Sequence, residues 1–560
     1  MEKIWLKSYS QGVPAEINLN ELGTIADYFT TAASQYAARR AFISGSTGIA
    51  ITYAELDRLS RDVAAYFQSV IGLPKGTRVA LMMPNLLQYP VCLLGLLRAG
   101  HIVVNVNPMY TARELEHQLK DSGAEAMIVV ELFAHTLEKI VANTSIKHVV
   151  VTGLTDILPW PKRALASFVL HRVKKTVPAF SLPDSVQYLD MLALGAAASF
   201  DPIRMESSDI AFLQYTGGTT GVSKGAMLTH LNILANVKQA EVWIAPFISE
   251  ADAQKSETIS ITAIPLYHIF ALGSSLGLLG SGGTNVLVAD PRNIPAFVKI
   301  LSTYKFVSMP AVNTLFNGLL NDPGFAKVDF SEMRFAVGGG ASVQRPVAER
   351  WEATTKAPLL EGYGLTECSP TVTINPFDMK EFSGNIGLPV PSTEVSIRDA
   401  DGQELPIGQA GELCVKGPQV MKGYWNRPAE TAAVMTADGF LRTGDIATID
   451  DKGFLKIVDR LKDMILVSGF NVYPSEIEEV VMMHPDVLEV AAVGKPNQKS
   501  GESVRIYVVK KSPTLTRELL IEHCRKNLTA YKIPSEVEFL DDLPKSSVGK
   551  ILRRELRDRI

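Results

Sequence analysis

At 560 residues the chain is too long for one compact core, so at least two domains are expected. With 46% hydrophobic residues and a formal net charge of −4 it reads as an ordinary globular protein, which excludes a disordered chain and a basic nucleic-acid binder. Cys92, Cys368, Cys414 and Cys524 stand far apart without metal-ligand spacing, so neither a disulfide framework nor a zinc site is implied, and a reducing cytoplasm suits them.

Met1 to Asn20 mixes charges with turn residues and carries no apolar run of the signal-peptide kind. From Thr52 to Thr152 the pattern alternates. Leu56, Leu59, Val63, Tyr66, Phe67 and Val70 fall at helical spacing, and Leu86 to Leu97 and Ala112 to Lys120 also read as helices. Between them Arg78 to Met83, His101 to Val106, Ala126 to Val130 and His148 to Thr152 read as buried strands, which predicts a largely parallel sheet covered on both faces. The apolar windows Tyr89 to Leu97 and Phe270 to Gly280 are too short or too rich in Gly and Ser to span a bilayer.

Pro159 to Phe180 breaks the rhythm. It carries Lys162, Arg163, Arg172, Lys174 and Lys175 with no acid between Asp156 and Asp184, while Ala166, Val169, Leu170, Val173 and Val177 share one helical face. Two readings stand: a surface helix packed on its own domain, which is the commoner case, or an interfacial helix on anionic lipid.

Tyr215 to Gly225 reads Tyr-Thr-Gly-Gly-Thr-Thr-Gly-Val-Ser-Lys-Gly, with little bulk and several hydroxyls. Such a loop brings backbone N–H groups close to an oxyanion. An expected strand at Ile210 to Leu213 and a helix after Met227 would set Lys224 near a helix start, where anions are favoured. The spacing matches neither G-x-x-x-x-G-K-[ST] nor G-x-G-x-x-G, so the loop alone reads as a polyphosphate cradle or a flexible linker.

More α/β pattern runs to about Asp399, after which short strands at Glu412 to Val415, Phe454 to Val458 and Met464 to Val467 shift the character to α+β. Beyond Arg460 the chain is long enough for a small separate domain, with helices at Ser475 to Met483 and Leu515 to Leu528 and strands at Leu488 to Val493 and Val504 to Val509. Four further Gly-flanked polar segments accompany the loop. They are Val337 to Ala341, Glu361 to Glu367 (Glu-Gly-Tyr-Gly-Leu-Thr-Glu), Thr443 to Ile446, and Lys545 to Arg554, where Lys550 follows Gly549 at an expected helix start.

In this combination the sequence resembles the adenylate-forming superfamily, and in particular its bacterial long-chain fatty-acyl-CoA synthetase branch. The resemblance covers nearly the whole chain. It implies an α/β fold with a large N-terminal domain of mixed sheets, residues 1–459, and a small mobile α+β domain, residues 460–560. It also implies a two-step reaction: a medium- to long-chain fatty acid and ATP give acyl-adenylate and pyrophosphate, then coenzyme A gives acyl-CoA and AMP, feeding fatty-acid degradation.

By the same resemblance Thr216, Gly217, Gly218, Thr219, Thr220, Gly221 and Lys224 would hold the β- and γ-phosphates, with Thr216 and Glu367 on Mg²⁺. Tyr363 would pack on the adenine, approached by the backbone of Gly339 and Gly340, with Glu361 and Gly362 in the same segment. Asp445 and Arg460 would bind the ribose, Thr366 the α-phosphate, and Lys550 would neutralise charge between the carboxylate and the α-phosphate. His268 would shape the acyl pocket, Lys462 would be the hinge, and the loop Ser468 to Asn471 would face the site for thioester formation. The chain departs from its branch at Leu461, where a second lysine is common, and at Ser223, where Pro or Ala is.

The alternatives are an acyl-AMP or aryl-CoA ligase of the same superfamily and a non-catalytic nucleotide-dependent fatty-acid-binding module. The expected partners are fatty acid, ATP and coenzyme A, without nucleic acid. The expected place is the cytoplasm, with peripheral contact to the inner membrane face and a homodimer as open options.

Overall fold

The computed structural model describes residues 2–216, 223–247, 257–379, 381–468, 470–497, 500–547 and 549–559. Among them are four sheets. The apolar runs of the first third become a seven-stranded sheet in the order Val186–Gln187, His148–Thr152, Ala126–Val130, Arg78–Met82, Ile102–Asn105, Ile210–Thr216 and Lys224–Thr229. Its strands are parallel except for the last, which pairs antiparallel with Ile210–Thr216.

A nine-stranded sheet has a parallel centre that includes Ile259–Thr262, Ser308–Ala311, Phe335–Gly338 and Leu359–Gly364. Helix Gln88–Arg98 is buried along its whole length, and its apolar face joins residues of both large sheets in one core. That burial explains the apolar window at Tyr89 to Leu97 without a membrane, and among the described residues no helix is long and apolar enough to cross one.

The helix expected after Met227 is present, but the expectation that Lys224 sits near its start needs correction. Lys224–Thr229 is a strand, and the helix His230–Ile244 begins only after Thr229, whose hydroxyl accepts from Asn232 N in a capping box. Lys224 therefore opens the second arm of a hairpin, six residues before that helix begins.

Strands Glu394–Arg398, Gly411–Lys416, Leu441–Ile449 and Leu455–Arg460 form an antiparallel sheet that shares the main core through Val395, Leu413 and Leu455. Beyond it the chain changes sheets within four residues, 461–464, since Ile465–Val467 already belongs to a separate five-stranded sheet. This last sheet and helices Pro474–Met482 and Arg517–Asn527 enclose their own core, with Ile477, Val481, Ile506, Val508 and Leu520. The small unit meets the large one through polar contacts. Thr314 Oγ1 donates to the Gly549 carbonyl at 3.0 Å, Asn107 Nδ2 to Ser547 Oγ at 3.1 Å, and Asn317 Nδ2 to the Leu488 carbonyl at 3.2 Å.

Candidate active site

Between the two units lies a cleft of about 2340 Å³. Its walls bring together Thr216, His268, Gly339, Gly340, Glu361, Gly362, Tyr363, Thr366, Glu367, Asp445, Arg460, Lys462 and Lys550. Residues scattered over more than 300 positions of sequence thus face one space. Gly217, Gly218, Thr219, Thr220 and Gly221 lie outside the described residues.

The nucleotide side is built on strand ends. Phe335–Gly338 and Leu359–Gly364 run parallel with Gly338 opposite Glu361, so the 339–343 loop and Tyr363 emerge at the same sheet edge, where open α/β sheets bind ligands. A Cβ on Gly339 would stand 3.0 Å from the Phe270 ring, and Gly340 has φ +76, so both positions favour glycine.

Asp445 and Arg460 are directly opposed in the hairpin of Leu441–Ile449 and Leu455–Arg460. One carboxylate oxygen of the buried Asp445 accepts from Tyr363 OH at 2.6 Å, and the other lies 3.3 Å from Arg460 Nε. The arrangement presents an aromatic face beside a fixed carboxylate.

Glu361 turns under the loop: its Oε1 accepts from Val343 N at 2.7 Å. Burial pushes this carboxyl up to about 8, with the Val343 N–H pulling the other way. The fold thus holds the proton more tightly than the unfolded chain does, so stability falls as pH rises from the ordinary 4.5 through 8. Glu361→Gln, a mimic of the protonated form, is expected to keep its Tm across that window while the wild type declines, as read by thermal denaturation from pH 6 to 9. Parallel curves for the two proteins would remove Glu361 as the cause.

On the phosphate side Glu367 follows Thr366 in the turn Thr366–Cys368, and its Oε1 accepts from Tyr424 OH at 2.7 Å. The Lys224 ammonium lies 5.2 Å from the centroid of the same ring. Tyr424 was not found from the sequence. It sits there because the chain from Lys422 to Trp425 runs alongside strand Lys224–Thr229, with Met227 N donating to the Gly423 carbonyl and Trp425 N to the Gly225 carbonyl. The only local sign was the turn-like Gly423-Tyr-Trp-Asn, which carries no hint of its partner.

His268 caps helix Ile269–Gly280, Nδ1 accepting from Phe270 N at 3.4 Å. Burial, and then the charge of Lys550, push its imidazole down to about 4, so it is neutral near pH 7 and suited to positioning. Buried Gln214 holds the preceding carbonyl, that of Tyr267, through Nε2 at 2.7 Å. Gln214, like Tyr424, was missed, being one polar residue in an apolar strand.

From His268 the cleft follows helix Ile269–Gly280 along Gly273, Gly277 and Ser281, and is faced by Val237, Ala240 and Ile244 of helix His230–Ile244. At the far end stand Tyr36 and Arg39, whose Nη1 donates to the Gly282 carbonyl at 3.4 Å.

Lys550 lies in a loop closed by pairing of Lys545 with Ile551, and helix Arg553–Arg557 begins only afterwards, so the expected helix start is displaced by three residues. Burial, then Arg460, lowers its ammonium to about 7, against the pull of Asp445. The described residues Ser468, Phe470 and Asn471 do not line the cleft in this arrangement.

The model of the AMP-binding enzymes matches residues 29–425, and that of the AMP-binding enzyme C-terminal domain matches 476–550. The long-chain-fatty-acid–CoA ligase of Yersinia pestis is 55% identical over 559 residues, covering 100% of this chain and 98% of that protein. The ligase of the same name from Haemophilus influenzae is 51% identical over 560 residues, with coverage of 100% and 98%. The crystal structure of ATP-bound MatB from Rhodopseudomonas palustris superposes with a TM-score of 0.80 at 29% identity, over 95% of this chain and 98% of that one. The family models, full-length identity and common fold agree, and the chain belongs to the AMP-binding enzymes of the adenylate-forming superfamily, in the bacterial long-chain fatty-acyl-CoA synthetase branch.

Proposed function

We propose that the protein converts medium- to long-chain fatty acids to acyl-CoA through an acyl-adenylate, with ATP and coenzyme A as co-substrates, for fatty-acid degradation. The observation that carries the reading is one continuous cleft. It joins a nucleotide wall (Tyr363, Asp445, Arg460), a carboxylate and lysine (Glu367, Lys550), and an arm of small and apolar residues.

In the first step a carboxylate oxygen bonds to the α-phosphorus and the bond to the β-phosphate bridging oxygen breaks, releasing pyrophosphate. Both reactants are anionic, so fixed donors on the developing charge lower the barrier. Lys550 would place its ammonium between carboxylate and α-phosphate, with Thr366 on the same phosphate and Thr216, Lys224 and the loop 217–221 on the β- and γ-phosphates. Tyr363 would stack on adenine between Gly339, Gly340 and Gly362, with Glu361 holding the loop and Asp445 and Arg460 taking the ribose hydroxyls.

Glu367 and Thr216 offer only oxygens, and among the described residues no cluster of three His, Cys, Asp or Glu side chains could hold a metal. That donor set fits Mg²⁺, which keeps waters and takes its remaining oxygens from phosphate. When bound it supplies positive charge to the phosphates.

In the second step the thiol of coenzyme A attacks the acyl carbonyl and AMP leaves. The hinge is taken at Lys462, because the four residues 461–464 alone join the two sheets and the contacts across the cleft are polar; Arg460 still pairs with Asp445, so the expected boundary at 459/460 moves to just after Arg460. Rotation there would withdraw Lys550 and present the 468–471 loop. The place of action is the cytoplasm, at the inner membrane face, a reading supported by four free buried cysteines and a membrane-soluble substrate.

The test is pyrophosphate release that requires fatty acid, followed by acyl-CoA on adding coenzyme A. Release with aryl acids alone, or adenylate that coenzyme A never consumes, would reassign the acid or the acceptor.

A further inference from the structure

The connection between strands His148–Thr152 and Val186–Gln187 carries a feature that the reaction does not use. It contains one continuous helical stretch, Lys162–Phe168 followed by wider turns over Val169–Val173. Trp160 is 74% exposed, Leu165 68%, Val173 65% and Phe168 59%, and no other large apolar side chain among the described residues is as exposed as these four. Lys162, Arg172, Lys174 and Lys175 are exposed beside them, and the nearest acids in sequence are Asp156 and Asp184. Of the apolar face Ala166, Val169, Leu170, Val173 and Val177, only Val173 turns outward; the other four are half-buried, and Trp160, Leu165 and Phe168 complete the exposed set. His171 fastens the stretch to the body, its Nε2 2.9 Å from Glu131 Oε2.

Large apolar side chains held in water cost free energy unless something covers them, and these are rimmed by Lys162, Arg172, Lys174 and Lys175, none of which pairs with an acid among the described residues. We infer that this segment is the protein's docking surface for an anionic bilayer, with Trp160, Leu165, Phe168 and Val173 entering the headgroup region and Lys162, Arg172, Lys174 and Lys175 facing lipid phosphates. Charge complementarity selects lipid over a second copy of the chain, since this basic rim would repel its own image across a two-fold axis. The inference deepens the membrane-face reading above and rests on it for its purpose. The geometry suits that purpose. The segment joins the last two strands at the edge opposite Lys224–Thr229, five to six strand spacings or about 24–29 Å away, so docking leaves the nucleotide cleft free in solution.

The experiment measures sedimentation of the full chain with phosphatidylcholine vesicles, with and without phosphatidylglycerol, and quenching of tryptophan by brominated lipid. Trp5, Trp243 and Trp351 are buried and Trp425 is half-buried, so Trp160 dominates quenching from a surface. Wild type is expected to bind only the anionic vesicles, with quenching that Trp160→Phe removes while binding persists. The triple variant Arg172→Gln, Lys174→Gln, Lys175→Gln should bind on the order of 100-fold more weakly, each cation near an anionic surface contributing about fivefold. Leu165→Ser with Phe168→Ser should leave only binding that added salt abolishes. Octanoate turnover should be unchanged in all variants, and binding is read even from protein that turns nothing over, so failure of docking and failure of the activity reading are distinct. No dependence on phosphatidylglycerol, binding without quenching of Trp160, or a dimer that Leu165→Ser with Phe168→Ser dissolves would each overturn the inference.

Discussion

Lys550→Ala is expected to lose adenylate formation by on the order of 10³-fold, as a single preorganised donor to a developing oxyanion contributes two to three powers of ten. Thiolysis of acyl-adenylate supplied ready-made should change only a few-fold, because that half-reaction no longer needs charge between carboxylate and α-phosphate. Lys550 sits beside Arg460, Arg553 and Lys462, with Asp445 as the opposing charge. Burial and these like charges lower its ammonium to about 7 in the free protein. It is charged below that pH and neutral above, so kcat/KM for ATP in fatty-acid-dependent pyrophosphate exchange should fall as pH rises through about 7. Bound phosphate raises the ammonium again, so kcat should stay level to higher pH. Lys550→Arg, ionised throughout, should remove the limb from kcat/KM while exchange remains slow. Equal losses in exchange and in thiolysis would show that Lys550 supports the fold of the cleft and not the first step.

Lys550 could be read from the sequence as chemistry but not as geometry. The segment Pro544 to Lys550 resembles the family's lysine loop, yet what seats it is distant: the Thr314 hydroxyl on the Gly549 carbonyl and Asn107 on Ser547. The same division runs through the molecule. Strands Ala126–Val130 and His148–Thr152 lie where their apolar runs predict, since a strand covered on both faces reads as a near-continuous apolar run. Asp445 and Arg460 were found only through the resemblance, because their pairing is a matter of register across a hairpin. Lys224–Thr229 read as the approach to a helix, because a six-residue strand at a sheet edge shows too few alternations and one of its two partners, Lys422 to Trp425, is non-local. Tyr424 and Gln214 escaped for the same reason. Each is a lone polar group whose meaning is its partner, Glu367 in one case and the Tyr267 carbonyl in the other.

Gly277→Leu is expected to convert the protein into an enzyme for shorter acids. Gly277 lies nine residues past His268, about 13 Å along the helix axis, and faces the arm of the cleft. A Cβ there would already make an ordinary contact with Val237 Cγ1 at 3.8 Å, so leucine's further carbons must project along the arm and narrow it between the two helices. In a helix interior, replacing glycine gains up to about 1 kcal/mol, so Tm should hold or rise, and lost activity on long acids would not reflect unfolding. Octanoate, whose chain ends short of Gly277, should react nearly as in the wild type. Palmitate would have to pass the leucine or leave its tail in water. Each methylene kept out of the arm forfeits about 0.8 kcal/mol, so excluding four lowers kcat/KM on the order of 100-fold. Gly277→Ala, whose single added carbon makes an ordinary contact with Val237 at 3.8 Å, should fall between the two. The comparison is kcat/KM for octanoate against palmitate in the three proteins. A uniform decrease on both acids would mean that the chain does not follow this helix, and the residues facing Val237 would then belong to packing, with the acyl group taking another branch of the same cleft.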